Sequence, residues 1–376
     1  MNILVNTAAE KSTGPIQVSD SVCRELVKYP QHNFVIVIGE EVNKVNHTYD
    51  DLKKICTPNI KLVCYQIPKT IHTLLTGRNA FMDKLVEDNN IDGVITMYAP
   101  SYWVPKVKNH VTGFALPFLI FSEGPYKKAL SLSFRMRLFF DVPIRRYFVR
   151  RCANKFFTEG QGISVIAKRM FPEKSIKTIT GNSNQVFFRQ NEWDSSVNFP
   201  SFDGFTMLTV ATNIPYKNLS IILPTIDYLH TKYPTFKFRF VLTLKNNELG
   251  YLTPLQNKHI VFIGRISIQQ CPHLYEQSDC MLHPSLLESF SASYSDAMVM
   301  KKPILTTDLG FAHDTCGDAA LFYSPLDYKD LGDKIYKLAN DRKLQQTLVD
   351  NGIKQQQTFD TPEERAKKLI DFLKEK

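Results

Sequence analysis

The chain lacks the short motifs that tie nucleotide-type folds to the commonest cofactors. No G-x-G-x-x-G follows any predicted strand, and no P-loop is present. A dinucleotide-dependent dehydrogenase, the competitor on fold class alone, is therefore without support. The seven cysteines (Cys23, Cys56, Cys64, Cys152, Cys271, Cys280, Cys316) are odd in number and form no C-x-x-C pair. Several lie in or beside apolar runs, where cysteine behaves as a small core residue. This excludes a disulfide frame and a zinc site and points to a reducing compartment. No apolar run approaches the ~18 residues needed to span a bilayer. MNILVNTAA reads as a first strand with no cationic segment before it, so no secretory signal is expected and the location is read as cytoplasmic.

What is present is a chain of 376 residues, 43% apolar and 22% charged, of globular composition and long enough for two domains. Strand and helix patterns alternate. Candidate strands in the first half are Asn2 to Asn6, Phe34 to Ile38, Leu62 to Gln66, Gly93 to Met97, Thr112 to Phe121, Lys155 to Thr158 and Lys177 to Thr180. In the second half they include Met207 to Ala211, Phe236 to Thr243, Ile260 to Gly264, Cys280 to His283, Ile304 to Thr307 and Ala320 to Tyr323. Strands separated by helical patterns predict parallel sheets covered by helices on both faces. NFPSFDGF, from Asn198, has neither periodicity and is the predicted linker. It divides the chain into residues 1–200 and 204–360. Thr361-Pro362-Glu363-Glu364 is a capping box with proline at the first helical position, opening a last helix over 361–376.

The richest stretch is DCMLHPSLLESFSASYSDAMVMKKPILTT, from Asp279 to Thr307. It predicts a short strand, a loop from Pro284 to about Ser291, a helix, and a second strand. Glu288 and Asp296 stand eight positions apart across the loop-to-helix junction. The residues between them, from Ser289 through Phe290, Ser291 and Ala292 to Ser293, are mostly small and polar, so their N–H groups can approach a ligand closely. A helix N-terminus with free N–H groups seats phosphate, and a carboxylate one turn into the helix can reach ribose hydroxyls. Ser293-x-x-Asp296 also has the form of a capping box, in which Asp296 would serve only its own helix.

These residues resemble the nucleotide-sugar-dependent glycosyltransferases of family four, often called group one. The family mark, P-S-x-x-E-x7-E-A-M followed by a P-[IV] strand, is matched by Pro284, Ser285, Glu288, Asp296, Ala297, Met298, Pro303 and Ile304. The second glutamate is an aspartate here, which shortens its reach by roughly 1.5 Å. Upstream, a strand from Met207 is followed by Lys217 and Asn218 in register with the family's Lys-[GN]. Its Gly-Arg positions hold Ala211 and Thr212, so one of the two cations that clamp the donor diphosphate is missing. The strand HIVFIGRIS ends at Gly264, and the residues after it, Arg265 and Ile266, match the positions that meet the nucleobase. The loop after the first strand, glycine-rich in the family, offers only Gly14. The match is detailed from Met207 to Phe359 and outline only before that.

The resemblance implies the GT-B fold: two Rossmann-like parallel-sheet domains facing each other across a cleft, with the last helix crossing back to the first domain. It implies a retaining glycosyltransferase that moves a sugar from a nucleoside diphosphate donor onto a lipid-linked or cell-surface glycan, with no metal and no other cofactor. Glu288 would hold the transferred sugar, Lys217 and the amides from Phe290 to Ser293 the diphosphate, and Asp296 the ribose. The departures at Thr212, Asp296 and the first loop keep a second reading open. This is a non-catalytic, nucleotide-sugar-binding scaffold of a polysaccharide-assembly complex.

Charge adds a separate signal. Residues 1–200 hold 26 Lys+Arg and 17 Asp+Glu, a net of +9, and the remainder 20 and 20, a net of zero. Lys127 to Lys155 carries nine basic residues against Asp141 alone, interleaved with large apolar ones. That mixture suits an anionic membrane surface and predicts peripheral attachment to the inner face of a membrane. A nucleic-acid partner is not expected, since no nucleic-acid-binding motif accompanies the charge.

Overall fold

The computed structural model describes residues 1–375. The chain is α/β, with two wholly parallel sheets, one in each of two compact units. The first unit takes residues 1–120, 137–184 and the chain from Asp360 onward; the second takes 121–136 and 185–359.

The first unit contains β1 (Asn2–Asn6), β2 (Asn33–Ile38), β3 (Ile60–Cys64), β4 (Gly93–Thr96), β5 (Asn109–Gly113), β6 (Lys155–Thr158) and β7 (Ser175–Thr178). Their order is β3-β2-β1-β4-β5-β6-β7. The central strands are apolar throughout because both faces are covered, as parallel sheets require; Ile3, Leu4, Val5, Ile36, Val37 and Val94 are fully buried. Its helices include α1 (Thr13–Glu25), α2 (Ile71–Thr76) and α3 (Leu132–Cys152), and the division between the units falls inside α3, after Met136. The last helix, Pro362–Lys374, opens with the expected capping box: Thr361 accepts from the Glu364 N–H at 3.2 Å and Glu364 from the Thr361 N–H at 2.8 Å. Its far end is capped by the Lys155 ammonium, which donates to the carbonyls of Phe372, Leu373 and Glu375. Arg365, also buried, pairs with Glu159 at 2.7 Å.

The second unit contains β8 (Phe205–Thr209), β9 (Phe238–Leu242), β10 (Ile260–Phe262), β11 (Cys280–His283), β12 (Ile304–Thr307) and β13 (Ala320–Tyr323), in the order β10-β9-β8-β11-β12-β13. Among its helices are α4 (Ile222–Lys232) and α5 (Ala292–Val299). Strand order reverses between β8 and β11, which pair directly (Met207 with Cys280, Leu208 with Met281). Ligands of open parallel sheets bind outside the carboxyl ends of the strands at such a reversal. The loops leaving β8 and β11 are the two that carry Lys217 and Glu288.

Two predicted elements differ. The apolar run from Thr112 to Phe121 is not one strand: β5 ends at Gly113 and Pro117–Ile120 is a helical turn. Pro117 has no N–H to give a ladder, and apolarity alone does not specify a strand. The stretch from Asn198 is no free linker. Phe199 packs into the second unit's core and donates its N–H to Gln277 at 2.7 Å, and the Arg239 guanidinium lies 4.8 Å from the Phe202 ring centre. Of the points where the chain passes between the units, the one nearest this stretch falls at Asn184–Gln185.

Candidate active site

Lys217 is placed by a tight backbone reversal. After β8 the chain makes a 3-10 turn, Pro215–Lys217, and Asn218 then adopts a left-handed conformation (φ 53°) before the turns that open α4. Asparagine is one of the few residues that tolerates that region. The Gly-or-Asn requirement after the lysine is therefore a backbone requirement. The loop is pinned to its neighbour: the Tyr216 carbonyl accepts the Leu286 N–H at 2.8 Å, and the Ser285 hydroxyl lies 3.4 Å from the same oxygen. Ser285 in turn accepts from Thr307 at 2.7 Å through its carbonyl, which ties the loop after β11 to β12.

These ties bring together two of the expected residues. The Lys217 ammonium lies 2.5 Å from Glu288 Oε1. His283, the last residue of β11, places its Nε2 3.1 Å from the same oxygen. Glu288 is buried, which opposes ionisation, but Lys217 and His283 outweigh that and hold its carboxyl down at about 2. Burial pushes the His283 imidazole below its ordinary value, and the Lys217 charge adds to that, so the ring is neutral near pH 7. With Glu288 ionised, the contact requires the ring proton on Nε2. Both bonds fall on Oε1, which leaves Oε2 for another donor such as a sugar hydroxyl. The His283 ring meets Tyr294 edge-on at 4.8 Å, and Tyr294 is bonded to Thr306 at 2.8 Å, so the imidazole is fixed from behind. Burial, then Glu288, push the Tyr216 phenol up to about 12.

The amides expected to seat phosphate lie beside this pair in sequence. Ser291 is the N-cap of α5 and its side chain makes no capping bond, so the first N–H groups of the helix, at Ala292 and Ser293, keep their donors. Ser289 and Phe290 are partly buried, and the Phe290 ring meets Phe359 edge-on at 6.2 Å. Because α5 begins at Ala292, Asp296 stands in its second turn and is not the third residue of a capping box opened by Ser293. That alternative reading is corrected. Asp296 is buried beside Cys271 and Tyr275, where its charge adds to burial in pushing the thiol and the phenol up.

The remaining expected residues are more peripheral. Thr212 is exposed, its carbonyl bonded to the Ile214 N–H at 2.9 Å. Arg265 is exposed just after Gly264, whose φ of 73° makes the turn that glycine permits. Ile266 packs on the second unit's core. Gly14 lies in the first turn of α1, in the other unit, where an added Cβ would meet nothing within 4 Å. Local packing therefore gives no reason for glycine there. The sequence reading missed His283 and Tyr216. The only signal for the histidine was its place immediately before Pro284-Ser285, and for Tyr216 there was none.

Residues 191–355 match the family model for glycosyl transferases group 1. That segment is a little under half of the chain. The chain is 24% identical over 217 residues to the capsular polysaccharide biosynthesis glycosyltransferase CapM of Staphylococcus aureus, a match spanning 54% of this chain and 57% of that one. Thus the chain spans little more than half the length of that relative. A glycosyltransferase structure from Rickettsia africae superposes with a TM-score of 0.68 at 16% identity, covering 99% of this chain and 97% of the other. The Anabaena protein HepE, solved in complex with UDP and glucose, gives 0.62 at 14% identity over 98% and 99%. Such neighbours establish the fold, two Rossmann-like units of the GT-B kind.

Proposed function

We propose that this chain is a retaining glycosyltransferase that moves a sugar from a nucleoside diphosphate donor onto a lipid-linked or cell-surface glycan. It acts in the cytoplasm at the inner face of a membrane and uses no metal. The observation that carries the reading is the Lys217–Glu288 pair at the strand-order reversal of the second unit, within the segment that matches the family model. The bond from the anomeric carbon to the diphosphate breaks, the acceptor oxygen takes its place, and the acceptor's proton leaves with the phosphate. Charge grows on the departing diphosphate, so fixed cationic and N–H donors aimed at it lower the barrier. Lys217 has three N–H donors and spends one on Glu288. The others, with the Ala292 and Ser293 amides, face that charge. Glu288 Oε2 accepts from a hydroxyl of the transferred sugar, while Asp296 accepts from the ribose. Diphosphate and sugar are thereby aligned through one ion pair.

Thr212 in place of the family arginine favours the scaffold reading, in which the donor is bound and never consumed. A thermal-shift panel of nucleoside diphosphates, beginning with UDP, followed by product analysis with the best-bound nucleotide sugar, separates the two. Nucleotide release or transfer supports the enzyme. Binding with no turnover, with or without a glycan acceptor, would leave the scaffold.

A further inference from the structure

We propose that the outward faces of α2 and α3 form one apolar platform that seats on an anionic lipid bilayer by inserting side chains. This inference rests on the membrane-acceptor reading above and names the surface that serves it.

The first observation is a helix with an uncovered apolar stripe. Of the 21 residues of α3, only Val149 and Cys152 are buried, both near its end. Phe148 meets Tyr102 at 5.0 Å on that inner side. On the outer side, Phe140, Ile144 and Tyr147 follow one another at four and three positions and so share one helical face, and the Phe139 ring meets Phe140 edge-on at 5.4 Å at its margin. Helices in proteins are stabilised mainly by packing an apolar face against something. Among the described residues nothing covers this one: its side chains stay more than half exposed.

The second observation extends the stripe. Arg151 turns back to donate to the Leu75 carbonyl at 2.9 Å and lies 3.4 Å from that of Leu74, capping α2 and holding it against α3. Ile71 and Leu75 of α2 point outward. These two and the four apolar residues of α3 are all between 55% and 76% exposed.

Charge decides the occupant. Arg145 and Arg146 are exposed beside the stripe. Lys69, its ammonium 4.7 Å from the Tyr102 ring centre, is driven down by burial and by the charges of Lys11 and Arg145, so these cations converge. The one acid of the outer α3 surface, Asp141, is shared by Arg137 and Arg145 at 3.4 and 3.9 Å. A second copy of the chain docked about a twofold axis would set these cations against one another. An anionic bilayer offers phosphates to the cations and hydrocarbon to the rings.

The same geometry narrows the expectation that the basic, apolar segment from Lys127 to Lys155 meets an anionic membrane surface. Lys127 is paired with Glu123 at 2.6 Å, Arg150 with Glu173 at 2.8 Å, Arg151 is committed to α2, and Lys155 is buried under the last helix. Insertion, not arginine count, has to carry attachment.

Vesicle co-sedimentation tests this, with phosphatidylcholine alone and phosphatidylcholine mixed with phosphatidylglycerol. The protein should bind the mixed vesicles and retain part of that binding at about 1 M salt, where the Debye length is about 3 Å. Ile71→Ser with Leu75→Ser, and Phe139→Ser with Phe140→Ser, should each weaken binding more than about tenfold, since each pair withdraws two large apolar groups. Arg145→Gln with Arg146→Gln should remove only the salt-sensitive part. A Phe140→Trp reporter should shift its emission to the blue on mixed vesicles. Donor hydrolysis in water should be unchanged in all of these, because none touches the donor site. Complete loss of binding at high salt, serine variants that bind normally, a reporter that stays water-exposed, or serine variants that convert a dimer to monomer would each overturn the proposal. If lipid binding behaves as stated while no sugar transfer is found, the platform stands and the transferase reading falls.

Discussion

At the scale of single residues, the site turns on how two side chains, Lys217 and His283, share one oxygen of Glu288. Lys217→Ala removes the cation assigned to the diphosphate, and turnover should fall by about thirtyfold to a thousandfold, equivalent to about 2–4 kcal/mol of barrier. The same change leaves Glu288 buried with only a neutral imidazole, so its carboxyl should rise from about 2 and a new acid-side titration should appear in the pH–rate profile. A mutant with wild-type turnover would show that the helix amides carry the charge alone. His283 acts through Glu288. His283→Leu should lower kcat by about tenfold to a hundredfold, the worth of a hydrogen bond to a charged group, while His283→Gln, which keeps an N–H, should recover most of it. Equal losses in both variants would make the histidine a packing residue.

Glu288→Gln and Asp296→Asn should separate in a further way. The first should mainly lower kcat, since the sugar loses its alignment, and the second should mainly raise the donor dissociation constant. If neither constant moves, these carboxylates are not where the donor sits. Asp296 was legible as a matched position. Its burial beside Cys271 and Tyr275 was not, because those two residues lie on the preceding helix, Cys271–Glu276, with β11 and its loop between.

At the scale of elements, the strands that were easiest to read are short apolar ones, whether central and buried throughout like β11 and β12 or at the sheet edge and partly exposed like β13. Cys280–His283, Ile304–Thr307 and Ala320–Tyr323 agree with the observed β11, β12 and β13 residue for residue. The run beginning at Thr112 misled because a proline-containing turn follows β5 with no change in apolarity. The meeting of Lys217 with Glu288 was implied only by resemblance. Its physical cause is the β8–β11 pairing, a long-range fact that no local pattern states. The reversal at Asn218 gives this scale its own prediction. Asn218→Gly should leave stability and turnover close to wild type, since glycine enters the left-handed region freely. Asn218→Val should cost about 1–2 kcal/mol and displace Lys217, so the melting temperature and kcat should fall together. A valine variant with unchanged kcat would mean that the turn does not set the lysine.

Acid sensitivity belongs to the whole molecule because its sources lie in both units. Glu288 is held down at about 2 against an ordinary 4.5, so its contribution is intact above pH 4.5 and is lost as the pH falls toward 2. Buried His110, 2.9 Å from Thr96 in the first unit, is driven down to about 3 by desolvation, and His283 is lowered likewise. The unfolded chain takes up protons on these histidines below about pH 6.5, whereas in the folded chain His110 does so only near pH 3 and His283 at a lower pH than when unfolded. Linkage therefore makes stability rise with pH through that window. Urea midpoints should fall between pH 7 and pH 5 in the wild type, and less steeply in His110→Gln. A flat profile would mean that both rings are protonated in the folded state.

The chain leaves the first unit for the second and returns to it twice, the last return being at Asp360, so the end of the sequence completes the unit that its beginning starts. Leu369, Ile370, Phe372 and Leu373 are buried in the first unit's core, and Arg365 and the last helix end supply the partners of buried Glu159 and Lys155. Each such apolar side chain is worth about 1.5–3 kcal/mol when buried, and a domain's whole margin is about 5–15 kcal/mol. Deleting residues 360–376 should therefore unfold the first unit. Lys217, Glu288 and Asp296, proposed above to hold the donor, all belong to the second unit, whose own core the deletion does not touch. In hydrogen exchange of the truncated chain, peptides from β1 to β5 should lose protection while those from β8 to β12 keep it. Saturating UDP, if it is the nucleotide, at about 100 times its dissociation constant should add about 2.7 kcal/mol to the second unit alone. Collapse of both units together would show that the second depends on the first. Nucleotide-induced protection of β1 to β5 in the truncated chain would place the nucleotide somewhere other than beside Lys217.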